Sequence, residues 1–153
     1  MAVNIRLDLV LTDNYSGSPA KKTVSMVIMN RQSGMIRTQN SVGGFRVRLD
    51  VDAQVELHAS GAGGGASTAT GGASTGAASA GPMTLRLTLQ YTPAPSDAAL
   101  AKGLDSTRGA VPSGLDESFA VILQDGKPLL VSQSADPVTD RRVTVEVTAT
   151  VLK

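Results

Sequence analysis

The sequence contains no cysteine and no tryptophan, and its only aromatic residues are Tyr15, Phe45, Tyr91 and Phe119. The lack of cysteine excludes disulfides, thiolate metal sites, iron–sulfur clusters and cysteine nucleophiles together. The scarcity of aromatic rings argues against stacking platforms for nucleic-acid bases or for sugars. Composition therefore narrows the possible functions before any motif is considered.

Charge and long apolar runs are also scarce. Charged residues make up 18% of the chain and the formal net charge is +1, so nothing favours nucleic acid or an anionic membrane as a partner. No apolar run approaches the ~18 residues of a membrane helix, and no signal peptide is visible at the start. The low charge and the abundance of Ser, Thr, Gly and Ala still favour an exported protein, at the cell surface, outside the cell or in the periplasm.

The clearest pattern in the chain is an unbroken alternation from Phe45 to Ala59. Apolar side chains occupy every odd position and polar side chains every even position. A period of two places the two sets on opposite faces of a β-strand, which here would be roughly 50 Å long. We expect one face to meet a hydrophobic core and the other to meet water.

Weaker alternation elsewhere predicts strands at about residues 2–12, 22–30, 35–38, 83–91, 117–123, 128–132 and 142–152. Asp125-Gly126 is the strongest short hairpin signal, and no internal repeat is evident. The chain is therefore predicted to be a single domain, residues 1–153, with an all-β fold. We expect an antiparallel β-sandwich, Ig-like or related, of about seven or eight strands.

Two long connections interrupt the strand pattern. Residues 60–82 are almost wholly Gly, Ala, Ser and Thr, which is typical of a flexible loop and here predicts a very long hairpin tip. Residues 92–116 form the second connection, with a short helix predicted over 97–102. Structureless loops of this length tend to be functional or disordered.

Polar residues with possible chemistry cluster on the central strand. His58 is the only histidine, and Asp50 and Asp52 share its face about 7 Å apart by strand geometry. Such residues serve as general bases, calcium ligands or glycosidase pairs, but the pattern is more often that of a charged, solvated outer face opposed by arginine or lysine on neighbouring strands. The candidate arginine partners are Arg46, Arg48 and Arg86.

A second polar cluster surrounds a turn near the end of the chain and is interpreted as a solvated loop with local ion pairs. Its members are Asp136, Asp140, Arg141 and Arg142. We predict no catalytic residue, cofactor or metal site in either cluster, and we do not expect an enzyme. A hydrolase built on Asp50, Asp52 and His58 is kept as a third hypothesis.

Several hydroxyl and amide side chains are candidates for glycosylation. Asn14-Tyr15-Ser16 fits the acceptor pattern for N-linked sugars. Hydroxyl groups in the low-complexity segment are candidates for O-linked sugars, namely those of Ser67, Thr68, Thr70, Ser74 and Thr75. An unmodified flexible tip is the simpler interpretation of that segment.

From Leu115 onward the chain resembles short exported bacterial β-proteins of unknown function. The residues that carry this resemblance are Leu123–Pro128, Val131–Pro137 and Asp140–Ala149. The layout of residues 45–132 more distantly resembles the carboxy-terminal β-region of secretins, although Ser132-Gln133-Ser134 stands where secretins have two glycines. The resemblance implies an envelope or surface location and a non-catalytic task.

The leading hypothesis is a structural or assembly protein that associates with itself through β-strands, as a homo-oligomer or a polymer such as a filament. The first strand is the proposed contact because it begins the chain and carries few charges. Its apolar residues are Val3, Ile5, Leu7, Leu9 and Leu11. The alternative is a soluble binding module that recognises a protein or a glycan through its two long loops. The sequence does not identify a small-molecule ligand.

Overall fold

The computed structural model of this chain describes residues 3–15, 18–58, 81–95, 114–136 and 141–152. The strands found there are β1 (Asn4–Tyr15), β2 (Ser18–Met29), β3 (Ser33–Val42), β4 (Phe45–Leu57), β5 (Met83–Thr92), β6 (Leu115–Leu123), β7 (Pro128–Ala135) and β8 (Arg142–Leu152). They form two antiparallel sheets with the orders β2-β1-β8-β7 and β3-β4-β5-β6. The predicted all-β antiparallel sandwich is confirmed. The predicted helix at 97–102 and most of both long connections lie outside the described residues.

Side-chain alternation explains which residues form the core. On β4, Val51, Ala53 and Val55 face inward and are at most 1% exposed, whereas Asp52 and Gln54 between them are exposed. Full burial of a valine side chain such as those of Val51 and Val55 contributes about 1.5–3 kcal/mol. The central strands of both sheets supply most of the fully buried side chains, including Ile5, Leu7, Met83, Leu85, Leu87, Leu89, Val145 and Val147.

The turn at Asp125-Gly126 does not form the predicted hairpin, because it carries the chain from β6 in one sheet to β7 in the other. Gly126 has a φ of 70°, so the Asp-Gly pair does supply the left-handed turn residue expected of it. The turn is tied to β8, since Val151 N donates to Asp125 Oδ1 at 2.9 Å and Gly126 N donates to Ala149 O at 2.8 Å. Turn chemistry predicted the reversal but not the sheet that the next strand joins.

The turn between β2 and β3 has the same construction. Leu57 N donates to Asn30 Oδ1 at 2.8 Å, and Arg31 N donates to Val55 O at 2.9 Å. Arg31 has a φ of 68°, close to that of Gly126 in the other turn. Both crossings between sheets are therefore held by two hydrogen bonds to the end of a neighbouring strand: a side-chain oxygen of the turn accepts from a strand N–H, and a backbone N–H of the turn donates to a strand carbonyl.

This likeness extends to every ladder of the sandwich. Strands β1–β4 correspond to strands β5–β8: the pair Ile5–Ile28 corresponds to Met83–Leu123, and Leu57–Met83 to Val151–Ile5. Each strand of one sheet thus has its counterpart in the other sheet, and the two run in the same direction. A two-fold rotation about an axis parallel to the strands relates the two halves in this way. The two halves thus share one backbone plan that the sequence does not reveal.

Candidate functional site

The strand predicted to mediate self-association lies inside the structure's own sheet. β1 is hydrogen-bonded to β2 on one side and to β8 on the other, and Ile5, Leu7, Leu9 and Leu11 are at most 3% exposed. Val3, just before β1, packs against the same core. The two terminal strands pair with each other, so neither side of β1 is open to a further strand in this sheet. Self-association stays a prediction, and its surface has to be sought elsewhere.

The sandwich has two lateral edges, where the outermost strand of each sheet is paired with another described strand on one side only. β2 and β3 form one of them, the β2/β3 edge, and β6 and β7 form the other, the β6/β7 edge. Apolar side chains that face the core are only partly buried at both edges: Val24 and Met26 at the first, Phe119, Val121 and Val131 at the second. The hydrophobic core thus extends to solvent at each edge.

The β6/β7 edge also exposes large apolar side chains. Ile122 is 69% exposed and Leu130 is 54% exposed. β7 carries no charged residue, although Pro128 begins it and an irregularity in the ladder lies between Leu130 and Ser132. Lysine, proline or a bulge normally prevents an edge strand from pairing with another chain. β7 has the proline and the irregularity but no lysine, so it is only partly protected.

One charged side chain faces the interior layer at each edge. Lys22 pairs with Leu11 and Glu117 pairs with Leu89, and these pairs correspond to each other in the two halves. Lys22 Nζ lies 5.0 Å from the centre of the Tyr91 ring, a distance typical of a cation–π contact. Glu117 Oε2 is buried and has no hydrogen-bond partner among the described residues. An unpaired buried oxygen of this kind is costly.

A buried ionic cluster joins the two sheets near the end of β1. Arg141 donates to both carboxylate oxygens of Asp13, from Nε to Oδ1 at 2.8 Å and from Nη2 to Oδ2. Tyr91 on β5 donates its hydroxyl to Asp13 Oδ2 at 2.7 Å. The Asp13 and Arg141 side chains are only 5% and 12% exposed. The Arg141 guanidinium also lies 5.7 Å from the centre of the Tyr15 ring.

The cluster raises the pKa values of Tyr91 and Arg141. Burial, followed by the hydrogen bond to Asp13, raises the pKa of the Tyr91 hydroxyl well above its usual range. Burial acts to lower the pKa of Arg141, but the hydrogen bond and the charge of Asp13 outweigh it and raise that pKa. The cluster is thus built to hold a neutral tyrosine and a charged arginine around one carboxylate.

The interpretation of Arg141 as a residue of a solvated loop is wrong. Its partner is Asp13, which is 128 positions away, so the sequence neighbourhood of Arg141 gave no sign of the pair. Asp136 N donates to Arg141 O at 2.9 Å, whereas Asp140 lies outside the described residues. Arg142 begins β8 and is exposed. Asp13 continues the inward alternation of Ile5 to Leu11, and this was the available signal.

The candidate acid–base residues of β4 lie on the outer face, as interpreted. Asp50 accepts from Arg48 Nε at 2.7 Å, so its arginine partner is on the same strand; across the ladder Asp50 pairs with Arg37. This hydrogen bond raises the pKa of Arg48. Asp52 pairs with Met35 and Thr88 across the ladders.

His58 lies beyond the end of β4, away from both carboxylates. His58 Nε2 is 2.7 Å from Thr84 Oγ1, and its backbone N–H donates to Pro82 O. The described residues contain no group of three or more His, Asp or Glu side chains that could hold a metal ion. The structure therefore does not join His58, Asp50 and Asp52 into one site.

The predicted glycosylation sites are largely outside the described part of the chain. Asn14 is exposed near the end of β1, but Ser16 of its acceptor pattern is not described. The same holds for Ser67, Thr68, Thr70, Ser74 and Thr75. Glycosylation stays a prediction at all of these positions.

Comparisons with known proteins give a distant structural likeness. No protein-family model matches the sequence, and no curated protein matches it. The solved secretin InvG of the Salmonella SPI-1 type III secretion injectisome matches with a TM-score of 0.46 and 9% identity, over 99% of this chain and 65% of that chain. InvG in the injectisome basal body, with PrgH and PrgK, gives the same TM-score and identity over 46% of that chain.

InvG in its open-gate state gives a TM-score of 0.39 and 11% identity, over 59% of that chain. This protein thus spans less than two thirds of the secretin chains that it matches. The likeness covers 99% of this chain and is not specific to residues 45–132, and it transfers neither an activity nor an assembly to this chain. Across the described ranges, no helix is long and apolar enough to cross a membrane.

Proposed function

We propose that this protein is a non-catalytic assembly subunit that associates with further copies of itself through its sheet edges. The observation that carries the proposal is the state of the two edges. The core reaches solvent there, and no described strand covers the outer sides of β2, β3, β6 and β7.

Pairing at an edge offers two contributions to association. Strand addition supplies main-chain hydrogen bonds to unpaired N–H and C=O groups. It also removes from water the side chains of Phe119, Val121 and Val131 at one edge and of Val24 and Met26 at the other, at about 25 cal/mol per Å² of apolar surface. Neither contribution requires β1 to leave its own sheet.

Light scattering over a wide concentration range tests the proposal. The mass of the full chain should rise with concentration. Ile122→Lys and Leu129→Lys, at positions 69% and 39% exposed on the β6/β7 edge, should reduce association. Gln54→Lys, at an exposed position on the central strand β4, should not.

The outcome separates the two hypotheses drawn from the sequence. A monomeric mass at every concentration would contradict the assembly proposal and favour the binding module. Association that Gln54→Lys weakens as much as the edge variants would point to a contact between sheet faces.

The proposal includes an exported location and the absence of catalysis. Its support is the low charge and the richness in small and hydroxyl residues, together with the placement of His58 apart from Asp50 and Asp52. Fractionation of cells that produce the native protein should recover it outside the cytoplasm. Asp50→Asn, Asp52→Asn and His58→Ala should leave association unchanged.

A further inference from the structure

We infer that copies of this protein associate head to tail, with the β6/β7 edge of one copy against the β2/β3 edge of the next. Glu117 of one copy then meets Lys22 of its neighbour between the two sheets. This inference rests on the proposed function and specifies the surface and the arrangement that the proposed function leaves open.

Strand directions permit both sheets to continue across this contact. Successive strands of the chain alternate in direction, so β7 and β2 run in opposite directions, as do β6 and β3. When two copies lie side by side in the same orientation, β7 of one faces β2 of the next in one sheet, and β6 faces β3 in the other. Both contacts are antiparallel, the geometry of every ladder within the chain.

A second arrangement, in which two β6/β7 edges meet across a two-fold axis, is compatible with the same backbone. The correspondence between the halves gives the β2/β3 and β6/β7 edges the same strand pattern, so backbone geometry does not choose between the two arrangements. The choice has to come from side chains.

Charge makes this choice. β2 and β3 carry Lys21, Lys22 and Arg37, so the β2/β3 edge has three positive charges and no negative charge; β6 and β7 carry Asp116 and Glu117, so the β6/β7 edge has two negative charges and no positive charge. Two like edges would place charges of one sign together, whereas head-to-tail contact places opposite charges together.

The inward-facing charges sharpen the match. Lys22 and Glu117 lie at the same height along the strands, because their ladder partners Leu11 and Leu89 are corresponding residues of the two halves. Both project toward the layer between the sheets, and Glu117 Oε2 has no described hydrogen-bond partner there. In the head-to-tail contact the ammonium of Lys22 supplies the missing partner, in a site from which the neighbour excludes water.

The contact is heterologous, so it does not stop at two copies. After the first contact the pair of copies keeps one free β2/β3 edge and one free β6/β7 edge, and further copies add until a ring closes or an open filament forms. The inference therefore predicts a series of sizes and not a discrete dimer.

Charge exchange at positions 22 and 117 tests the inference. Lys22→Glu and Glu117→Lys should each weaken association by at least about tenfold, measured by sedimentation and light scattering. The two variants mixed in equal amounts should associate again, because every contact between one variant and the other brings opposite charges together at positions 22 and 117, whereas contacts within either variant bring like charges together there. The double variant, with both charges exchanged, should also associate. Lys21→Glu and Asp116→Lys make the same changes of charge on the neighbouring outward-facing residues, and they should have much smaller effects.

Each possible result has a defined meaning. Wild type that is monomeric at all concentrations overturns the proposed function. Wild type that associates while Lys22→Glu and Glu117→Lys associate equally well overturns the head-to-tail inference and leaves the proposed function standing. Association strengthened by Glu117→Gln and unaffected by Lys22→Gln would show that two β6/β7 edges meet. Denaturant unfolding of each variant at low concentration verifies that the monomer is folded.

Discussion

Tyr91 donates a hydrogen bond of 2.7 Å to Asp13, and these two residues hold corresponding positions in the two halves of the sandwich. Corresponding positions that face each other near a two-fold axis cannot be filled well by two identical charged groups. A hydroxyl donor opposite a carboxylate acceptor solves this problem. The two halves therefore carry complementary side chains here, and at another pair of corresponding positions they carry the opposite charges of Lys22 and Glu117.

The Asp13–Arg141 pair should be a major contributor to stability. Asp13→Ala leaves the largely buried guanidinium of Arg141 without its carboxylate and should lower the free energy of unfolding by about 3–5 kcal/mol. Asp8→Ala removes the more exposed ion pair with Arg6, in which N and O are 3.0 Å apart, and should cost at most about 1 kcal/mol. Denaturant unfolding of both variants tests this, and equal losses would contradict a structural role for the cluster.

Tyr91 should make the protein less stable at alkaline pH. Its pKa is raised in the folded state, whereas in the unfolded chain it is about 10. Above that pH the unfolded state loses the proton that the folded state keeps, so the free energy of unfolding falls as pH rises. Tyr91→Phe should flatten the decline between pH 9 and 11 that urea unfolding measures, relative to wild type, by about 1 kcal/mol. Tyr15→Phe is the matched control, and an unchanged slope in Tyr91→Phe would refute the assignment.

Exchanging an aliphatic and an acidic residue should affect stability strongly on the inner face of β4 and little on its outer face. Val51 is 1% exposed and Asp52 is exposed. Val51→Asp buries an unpaired carboxylate and should cost more than about 3 kcal/mol or prevent folding. Asp52→Val should change stability by no more than about 0.5 kcal/mol. Comparable damage from both changes, in the same unfolding assay, would mean that the outer face is also covered.

Gly34 should resist enlargement because β2 and β3 approach closely there. A Cβ atom at this position would lie 2.9 Å from Ile28 Cγ1 and 3.1 Å from Met26 Sδ, which is shorter than van der Waals contact. Gly34→Ala should therefore lower the free energy of unfolding by about 1–3 kcal/mol, whereas Ser33→Ala at the exposed neighbouring position should be nearly neutral. A thermal melt of Gly34→Ala that matches wild type would show that β3 shifts without cost.

The sequence predicts strands well where one face is buried and the other is solvated. Strand β4 begins at the predicted residue, and β8 has both predicted ends, because aliphatic and polar residues alternate strictly along both. β3 and β7 are longer than predicted because edge strands do not need a fully apolar face. β1 extends to Tyr15, past the predicted end, because an inward aspartate such as Asp13 interrupts the apolar pattern without ending the strand.

The sites were less predictable than the strands for a physical reason. Arg141 and Asp13 meet only because β8 pairs with β1. Lys22 and Glu117 hold equivalent positions only because the β1–β2 and β5–β6 ladders have the same register. Both relationships depend on ladders between strands far apart in the chain, and local patterns do not determine those. The sequence nevertheless shows that Lys22 and Glu117 face inward, because each is a charged residue in the alternating series of otherwise apolar residues on its strand.

The pairing of β1 with β8 means that the order of strands is circular. Leu152 lies beside Asn4 just as Leu57 lies beside Met83, so a short linker from 152 to 4 can replace the connection at 58–82 as the link between halves. A rearranged gene that starts at Met83 and ends at Leu57 should then encode the same sandwich. Its amide exchange pattern should match that of the native order, and loss of protection in β1 and β8 would show that one chain order is required.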